Sequence, residues 1–183
     1  MQQLFETPEM SNSLVYLRPA TLAYVRAIGP YDKSIEDAWD RMYAWVDENG
    51  LNVSELRGYG LARDNPTVVD PNKCRYDACI LTMPEFEDRA LRELGTITLP
   101  GGPYARKREV ASRESIHAMV ATIHTTYEAP NDLKIDDRRP IVTIYLEAPL
   151  KAGDSDRRID LCVPVMVVSG SDRAGSSKSR AAA

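Results

Sequence analysis

Histidine is nearly missing from this chain of 183 residues: His117 and His124 are the only two, seven positions apart. On a helix that spacing separates them by about 10 Å along the axis at 1.5 Å per residue, too far for one ion to bridge. Helical zinc motifs use i and i+4 instead. Cysteine is scarce as well. Three residues, an odd number, argue against a disulfide framework and for a reducing cytoplasm. Cys74 and Cys79 lie five apart in a strand-like segment, so they face opposite sides, and no C-x-x-C spacing occurs; neither a metal nor any other cofactor is expected. No apolar run approaches the roughly 18 residues of a membrane span. Met1 to Ser13 carries Glu6 and Glu9 and lacks the cationic start and apolar stretch of a secretory signal. The net charge of −4 gives no long-range field to draw phosphate backbones, so direct nucleic-acid binding is not expected. G-x-S-x-G, G-x-x-x-x-G-K-[ST] and G-x-G-x-x-G are all missing.

What is present fits one domain: 43% hydrophobic and 27% charged residues suffice for a real core, whereas two unrelated domains would each be marginal. The expected limits are 14–168, with 1–13 as an N-terminal extension. The Ser, Gly, Ala, Arg and Lys of 169–183 read as a disordered tail.

Within the domain the order of elements occurs twice. Thr21 to Ile28 is rich in strand formers and ends at Gly29-Pro30. Ser34 to Asn49 follows as a helix with Ile35, Ala38, Trp39, Met42 and Val46 in one stripe; Ser34 and Asp37 resemble a capping box and Gly50 a stop. Arg57 to Ala62 and Arg75 to Thr82 read as two more strands. Adding 81 carries Ser34 onto Ser115 and the stripe onto Ile116, Met119, Val120, Ile123 and Tyr127. Past this helix the offset becomes 83, and Tyr76-Asp77-Ala78-Cys79-Ile80 falls on Ile159-Asp160-Leu161-Cys162-Val163. Matches in this order point to duplication, with units at about 14–84 and 93–168. The expected class is α+β: two tandem strand-helix-strand-strand repeats about a pseudo-twofold axis. Their antiparallel sheet carries two helices on one face and a groove between the repeats.

Nine tyrosines and two tryptophans against two phenylalanines favour rings with a polar tip, suited to a wall that grips an apolar molecule. Tyr24, Tyr31, Tyr59 and Tyr76 lie on or beside expected strands. Trp39 reads as core. In the strand Pro140 to Glu147, alternation sets Thr143, Tyr145 and Glu147 on one face; Val142, Ile144 and Leu146 form the other, expected beneath the helices. These seven residues, Tyr24, Tyr31, Tyr59, Tyr76, Thr143, Tyr145 and Glu147, are the candidate ligand contacts. None reads as catalytic. Arg106, Lys107 and Arg108 read as a charged sheet edge that discourages pairing.

Several short motifs in order carry a resemblance: Ala23-Tyr24-Val25-Arg26, Gly29-Pro30-Tyr31, the Trp39 to Trp45 helix, Asp64-Asn65-Pro66, Cys74-Arg75-Tyr76-Asp77, Pro100-Gly101-Gly102-Pro103-Tyr104-Ala105 and Val163-Pro164-Val165. Together they resemble the GyrI-like small-molecule-binding family, also met as the effector-binding domain of AraC-type and multidrug-responsive transcription regulators. The resemblance implies a duplicated unit with a central groove. It also implies three duties: sensing lipophilic, often cationic compounds; restraining DNA gyrase; and, in some members, hydrolysing cyclopropane-bearing genotoxins. One departure matters. The family commonly has E-x-Y in the late strand, and here Thr143 stands two residues before Tyr145. A threonine supplies neither charge nor a base near neutral pH, which lowers the expectation of cation sensing and of hydrolysis. The expected function is therefore binding, as a sensor or sequestering protein for a small apolar or amphiphilic compound, with neutral ligands at least level with cationic ones. The resemblance implies a DNA-binding protein or gyrase as further partners, and no membrane. No helix-turn-helix segment stands ahead of the domain in this sequence, which leaves the DNA-binding half of such a regulator unsupplied.

Overall fold

The computed structural model describes residues 13–52, 55–84, 86–129, 132–148 and 156–168. The expected tail at 169–183 and all but the last residue of the N-terminal extension lie outside them. The elements run β1 (Ser13–Leu17), β2 (Ala20–Ile28), α1 (Tyr31–Glu48), β3 (Gly58–Ala62), β4 (Arg75–Leu81) and α2 (Glu87–Glu93). They continue with β5 (Gly95–Leu99), β6 (Gly102–Ala111), α3 (Arg113–Thr126), β7 (Leu133–Ile135), β8 (Ile141–Tyr145) and β9 (Arg157–Val167). The class is α+β, with every strand pairing antiparallel. β1, β5, α2 and β7 have no precedent in the sequence pattern.

The strand order is β1-β6-β9-β8-β3-β4-β2-β5, with β7 paired to the end of β9. Its inner six mirror about the β8–β3 junction: β6-β9-β8 on one side and β2-β4-β3 on the other. These are the strands of β2-α1-β3-β4 and β6-α3-β8-β9. The edges are exchanged. β1 comes just before the first unit in the chain yet pairs with β6 of the second, while β5 comes before the second unit and pairs with β2 of the first.

Both faces of this curled sheet are packed. One cluster sets Ala23, Val25, Tyr76, Ala78, Tyr145 and Leu161 against Ile35, Trp39, Met42, Val46, Ile116 and Val120 of α1 and α3. On the opposite face, Leu22, Tyr59, Leu61, Tyr104, Val142 and Ile144 meet Val15 and Leu17 of β1 and Ile97 of β5. Each fully buried aliphatic side chain contributes about 1.5–3 kcal/mol. This second cluster reverses the expected faces of β8: Thr143 and Tyr145 lie beneath the helices, and Val142 and Ile144 point away. The reason is that all five β8 residues are buried. Alternation of polar and apolar side chains separates core from solvent only where one face is wet.

Two further expectations change. α1 begins at Tyr31 after Pro30, one turn before Ser34, because the Tyr31 hydroxyl is anchored to the turn at Asp64, donating to its carbonyl at 2.7 Å and accepting from its N–H at 3.0 Å. Ser34 is thus a buried helix-interior residue, not a cap. Gly50 does stop the helix, at φ +64, with Leu51 N–H donating to Val46 O and Gly50 N–H to Asp47 O. Within the basic run 106–108, Arg106 lies between β1 and β9 and is not on an edge, whereas Lys107 and Arg108 pair with β9 alone among the described residues. Arg108 instead grips Asp160 directly across from it, with Nε–Oδ1 at 2.7 Å and Nη2–Oδ2 at 2.9 Å. Arg26 grips Asp77 in the same way at 2.6 and 2.9 Å, so the duplicated aspartates hold equivalent bidentate pairs.

Candidate functional site

The mirror line of the sheet gathers the aromatic candidates. Trp39 of α1 and Tyr145 of β8 meet edge to face, ring centroids 5.1 Å apart. Trp39 Nε1 donates to Tyr76 Oη at 3.2 Å, and the Tyr31 ring stands 6.4 Å from that of Tyr76. Tyr76 fits because Gly60 on the adjacent strand has no Cβ; a methyl there would collide with the tyrosine hydroxyl. Opposite Gly60 across the junction sits Thr143, 1% exposed. By alternation along β8 it faces the same side of the sheet as Tyr145, the side the helices cover.

Beside Tyr145 on this face is a narrow cleft of about 10 Å³ lined by Trp39, Arg113, Ile116, His117 and Tyr145. Ring packing fills what the sequence predicted as a groove. At its mouth Arg113 pairs with Glu36 at 3.1 Å and Asp40 at 3.5 Å, tying α3 to α1. Burial pushes the Tyr145 hydroxyl up to about 12 and that of Tyr76 well above its usual value. Both stay neutral hydrogen-bonding groups at physiological pH and neither serves as a base. His117 is held below its ordinary value by burial first and by the Arg113 charge second.

The other candidates lie elsewhere. Tyr59 belongs to the cluster on the far face. Glu147 is exposed and accepts from Arg158 Nε at 3.0 Å, outside the cleft. Tyr24 lies beneath the Arg26 guanidinium, 5.1 Å from ring centroid to Cζ. It lines a hollow of about 460 Å³ with Val25, Arg41, Trp45 and Leu94 on the flank of the first unit. A matching hollow of about 500 Å³ opens on the flank of the second unit, between α3 and β6–β9. Trp39, expected as core, is core, and it also lines the cleft, which a tryptophan in a helical stripe does not announce. The sequence reading missed the flank hollows, whose only signal was the pairing of β2 with β6 under the offset of 81. Among the described residues no cluster of His, Cys, Asp and Glu could hold a metal ion. None of their helices is long and apolar enough to cross a membrane.

The model of the GyrI-like small molecule binding domain matches residues 10–166. This chain belongs to that family. Among GyrI-like relatives, YosT, an SPbeta prophage-derived protein of Bacillus subtilis (strain 168), is 28% identical over 85 residues, 46% of this chain and 55% of YosT. The DNA gyrase inhibitor of Escherichia fergusonii is 31% identical over 65 residues, 36% of this chain and 40% of that protein. The matched stretches thus span about half the length of these curated relatives. A solved structure, SAV2435 bound to tetraphenylphosphonium, superposes with a TM-score of 0.57 at 14% identity, over 90% of this chain and 97% of the other. At that identity the likeness speaks for the fold alone. The chain therefore carries a GyrI-like small-molecule-binding domain.

Proposed function

We propose that this protein senses or sequesters a lipophilic compound of neutral or weakly polar character, held in the inter-repeat cleft over Thr143. One observation carries the reading: Trp39, Tyr76 and Tyr145 converge beneath both helices with joined polar tips and no carboxylate among them. Such a wall grips flat apolar surface and offers hydrogen bonds without charge. The tetraphenylphosphonium held by SAV2435 supports a bulky aromatic occupant for this fold. A cleft of about 10 Å³ admits no such molecule until Trp39 and Tyr145 part, so binding selects an opened minor state and its affinity is reduced accordingly. The placement of Glu147 at the surface, paired with Arg158, favours binding over hydrolysis.

Tryptophan fluorescence and thermal shift against tetraphenylphosphonium and neutral triphenylphosphine oxide test this. The neutral compound should bind at least as well as the cation. Thr143→Glu should then raise affinity for the cation about tenfold, the scale of one charge-assisted contact. Indifference of the wild type to both compounds, or of the variant to the cation, would overturn the assignment.

A further inference from the structure

We propose that the flank hollow between α3 and β6–β9 is a second binding site, for an apolar molecule carrying one acceptor oxygen, carbonyl or carboxylate. Its walls are separate from the cleft, so it stands independently of the cleft reading. The floor is Ala105, Leu161 and Val163, and the roof is Met119 and Ile123. The volume of about 500 Å³ falls within the range of small-molecule sites, whereas the cleft at about 10 Å³ is shut. The apolar surface continues outward: Leu14 and Tyr16 of β1 pair with Ala105 and Pro103 and so share the hollow's side of the sheet, 63% and 72% exposed.

The hydrogen-bonding groups choose the ligand. Thr122 donates to Ala118 O at 2.8 Å and Thr126 to Thr122 O at 3.1 Å, which spends both hydroxyl protons on the helix itself. Arg106 turns to the other face, toward Ser13 and Asp160. Two donors remain on the walls. Tyr127 Oη is buried and has no hydrogen-bond partner among the described residues. Lys107 is bound to Glu109, whose side chain is only 12% exposed, and an ammonium with three protons retains others for a ligand. A buried hydroxyl without a partner is costly, and an acceptor oxygen delivered between Tyr127 and Lys107 satisfies it. Glu128 at the exposed rim is the one anionic lining residue. An occupant with an acceptor and an apolar body therefore suits this wall better than a lipophilic cation, which would face Lys107.

Isothermal titration with 2-acetonaphthone, 2-naphthoate and 2-ethylnaphthalene tests the site. The ketone and the carboxylate should both bind, and the hydrocarbon at least tenfold more weakly. Comparing the first two separates a neutral acceptor from an anion. Thr122→Trp, which fills the hollow from an exposed helix position, should abolish binding of both oxygenated probes; Tyr127→Phe should weaken them at least fivefold. Thr143→Glu should leave all three unchanged. Equal affinity for the hydrocarbon, or binding untouched by Tyr127→Phe, overturns the proposal, and Tyr127→Phe decides it alone if Thr122→Trp does not fold. Binding lost in Thr143→Glu but kept in Thr122→Trp would move the ligand to the cleft, sinking this site while sparing that one.

Discussion

On the flank of the first unit α2 lies against the end of α1 beside β5: Phe86 and Ala90 are buried there, Trp45 Nε1 donates to Glu93 at 2.8 Å, and Arg89 reaches Asn49 at 2.8 Å. On the flank of the second unit no helix fills the equivalent place among the described residues, and the hollow beneath α3 runs out onto bare Leu14 and Tyr16. Nearly equal volumes, about 460 and 500 Å³, thus acquire different linings. The first is ringed by Arg26, Arg41, Glu48 and Glu93, and the second has an aliphatic floor, the Tyr127 hydroxyl and a Lys107 ammonium with protons to spare. A duplicated unit supplies two similar shells, and one inserted helix suffices to set them apart. The remaining differences between the units can be probed the same way, one pair of equivalent positions at a time.

The largest expected effect is at the duplicated aspartates. Asp77 is fully buried and held by Arg26 and, at 3.3 Å, by Arg63, whereas Asp160 is held by an Arg108 side chain that is 54% exposed and, only at 3.7 Å, by Arg106. Asp77→Ala strands two guanidinium groups that are partly shielded from water. It should cost about 3 kcal/mol, the bottom of the range for a broken buried pair because Arg26 can still hydrate. Asp160→Ala should cost clearly less. Urea midpoints of the two variants decide it, and equal losses would mean that the units are electrostatically interchangeable.

Next comes the mirror line, where Gly60 faces Thr143 and the offset of 83 makes them equivalent. In the first unit a glycine accompanies bulky Tyr76; in the second a threonine accompanies slimmer Ile159. Volume is exchanged between neighbouring strands so that the same layer stays filled. Gly60→Ala should expel the Tyr76 ring, break its bond to Trp39 and cost about 1–3 kcal/mol. Thr143→Gly should leave the aromatic cluster assembled. Tryptophan emission reports both, and an unshifted spectrum in Gly60→Ala would show that Tyr76 has room to spare.

The repeated order of elements, the two long helices and six of the strands were legible because each rests on local pattern: stripes in α1 and α3, turn residues at Gly29-Pro30, and the recurrence of Asp77-Ala78-Cys79 as Asp160-Leu161-Cys162. What was not legible depends on partners distant in sequence. β1 and β5 cross to opposite units, and that exchange buries the far face, which is why Val142 and Ile144 could not be assigned a side from alternation. Trp39 and Tyr145 are 106 residues apart, and nothing in either segment announces their contact. The basic run 106–108 looked like an edge because its carboxylate partner, Asp160, lies 52 residues on.

A pH experiment separates the helices. α3 carries His117 and His124, both held below 6.5 by burial, and α1 carries none. Below pH 6.5 the unfolded chain takes up protons that the folded chain resists. Stability is therefore full above that value and falls as pH drops from 6.5 toward the lower folded values. Hydrogen exchange between pH 7.5 and 5.5 should show α3 loosening before α1, and the His117→Gln, His124→Gln double variant should abolish the difference. Asp64 and Asp136, held below 3.8 chiefly by their bonds to Arg75 and Arg138, contribute in a separate window as pH falls below that value.

The smallest effects lie at the helix starts, where the serines of the two units play different parts. The offset of 81 pairs Ser34 with Ser115, yet the cap of α3 is Ser112, whose hydroxyl accepts from Ser115 N–H at 3.2 Å. α1 starts at Pro30 without a side-chain cap, and the Ser34 hydroxyl is buried with no partner among the described residues. Ser112→Ala should therefore cost about 1 kcal/mol, the usual loss of a capping bond. Ser34→Ala removes a buried group that gains nothing from its oxygen and adds helix propensity, so it should be neutral or stabilising by a few tenths of a kcal/mol. Destabilisation by Ser34→Ala would mean that its hydroxyl has a partner after all and that the two helices begin more alike than their geometry indicates.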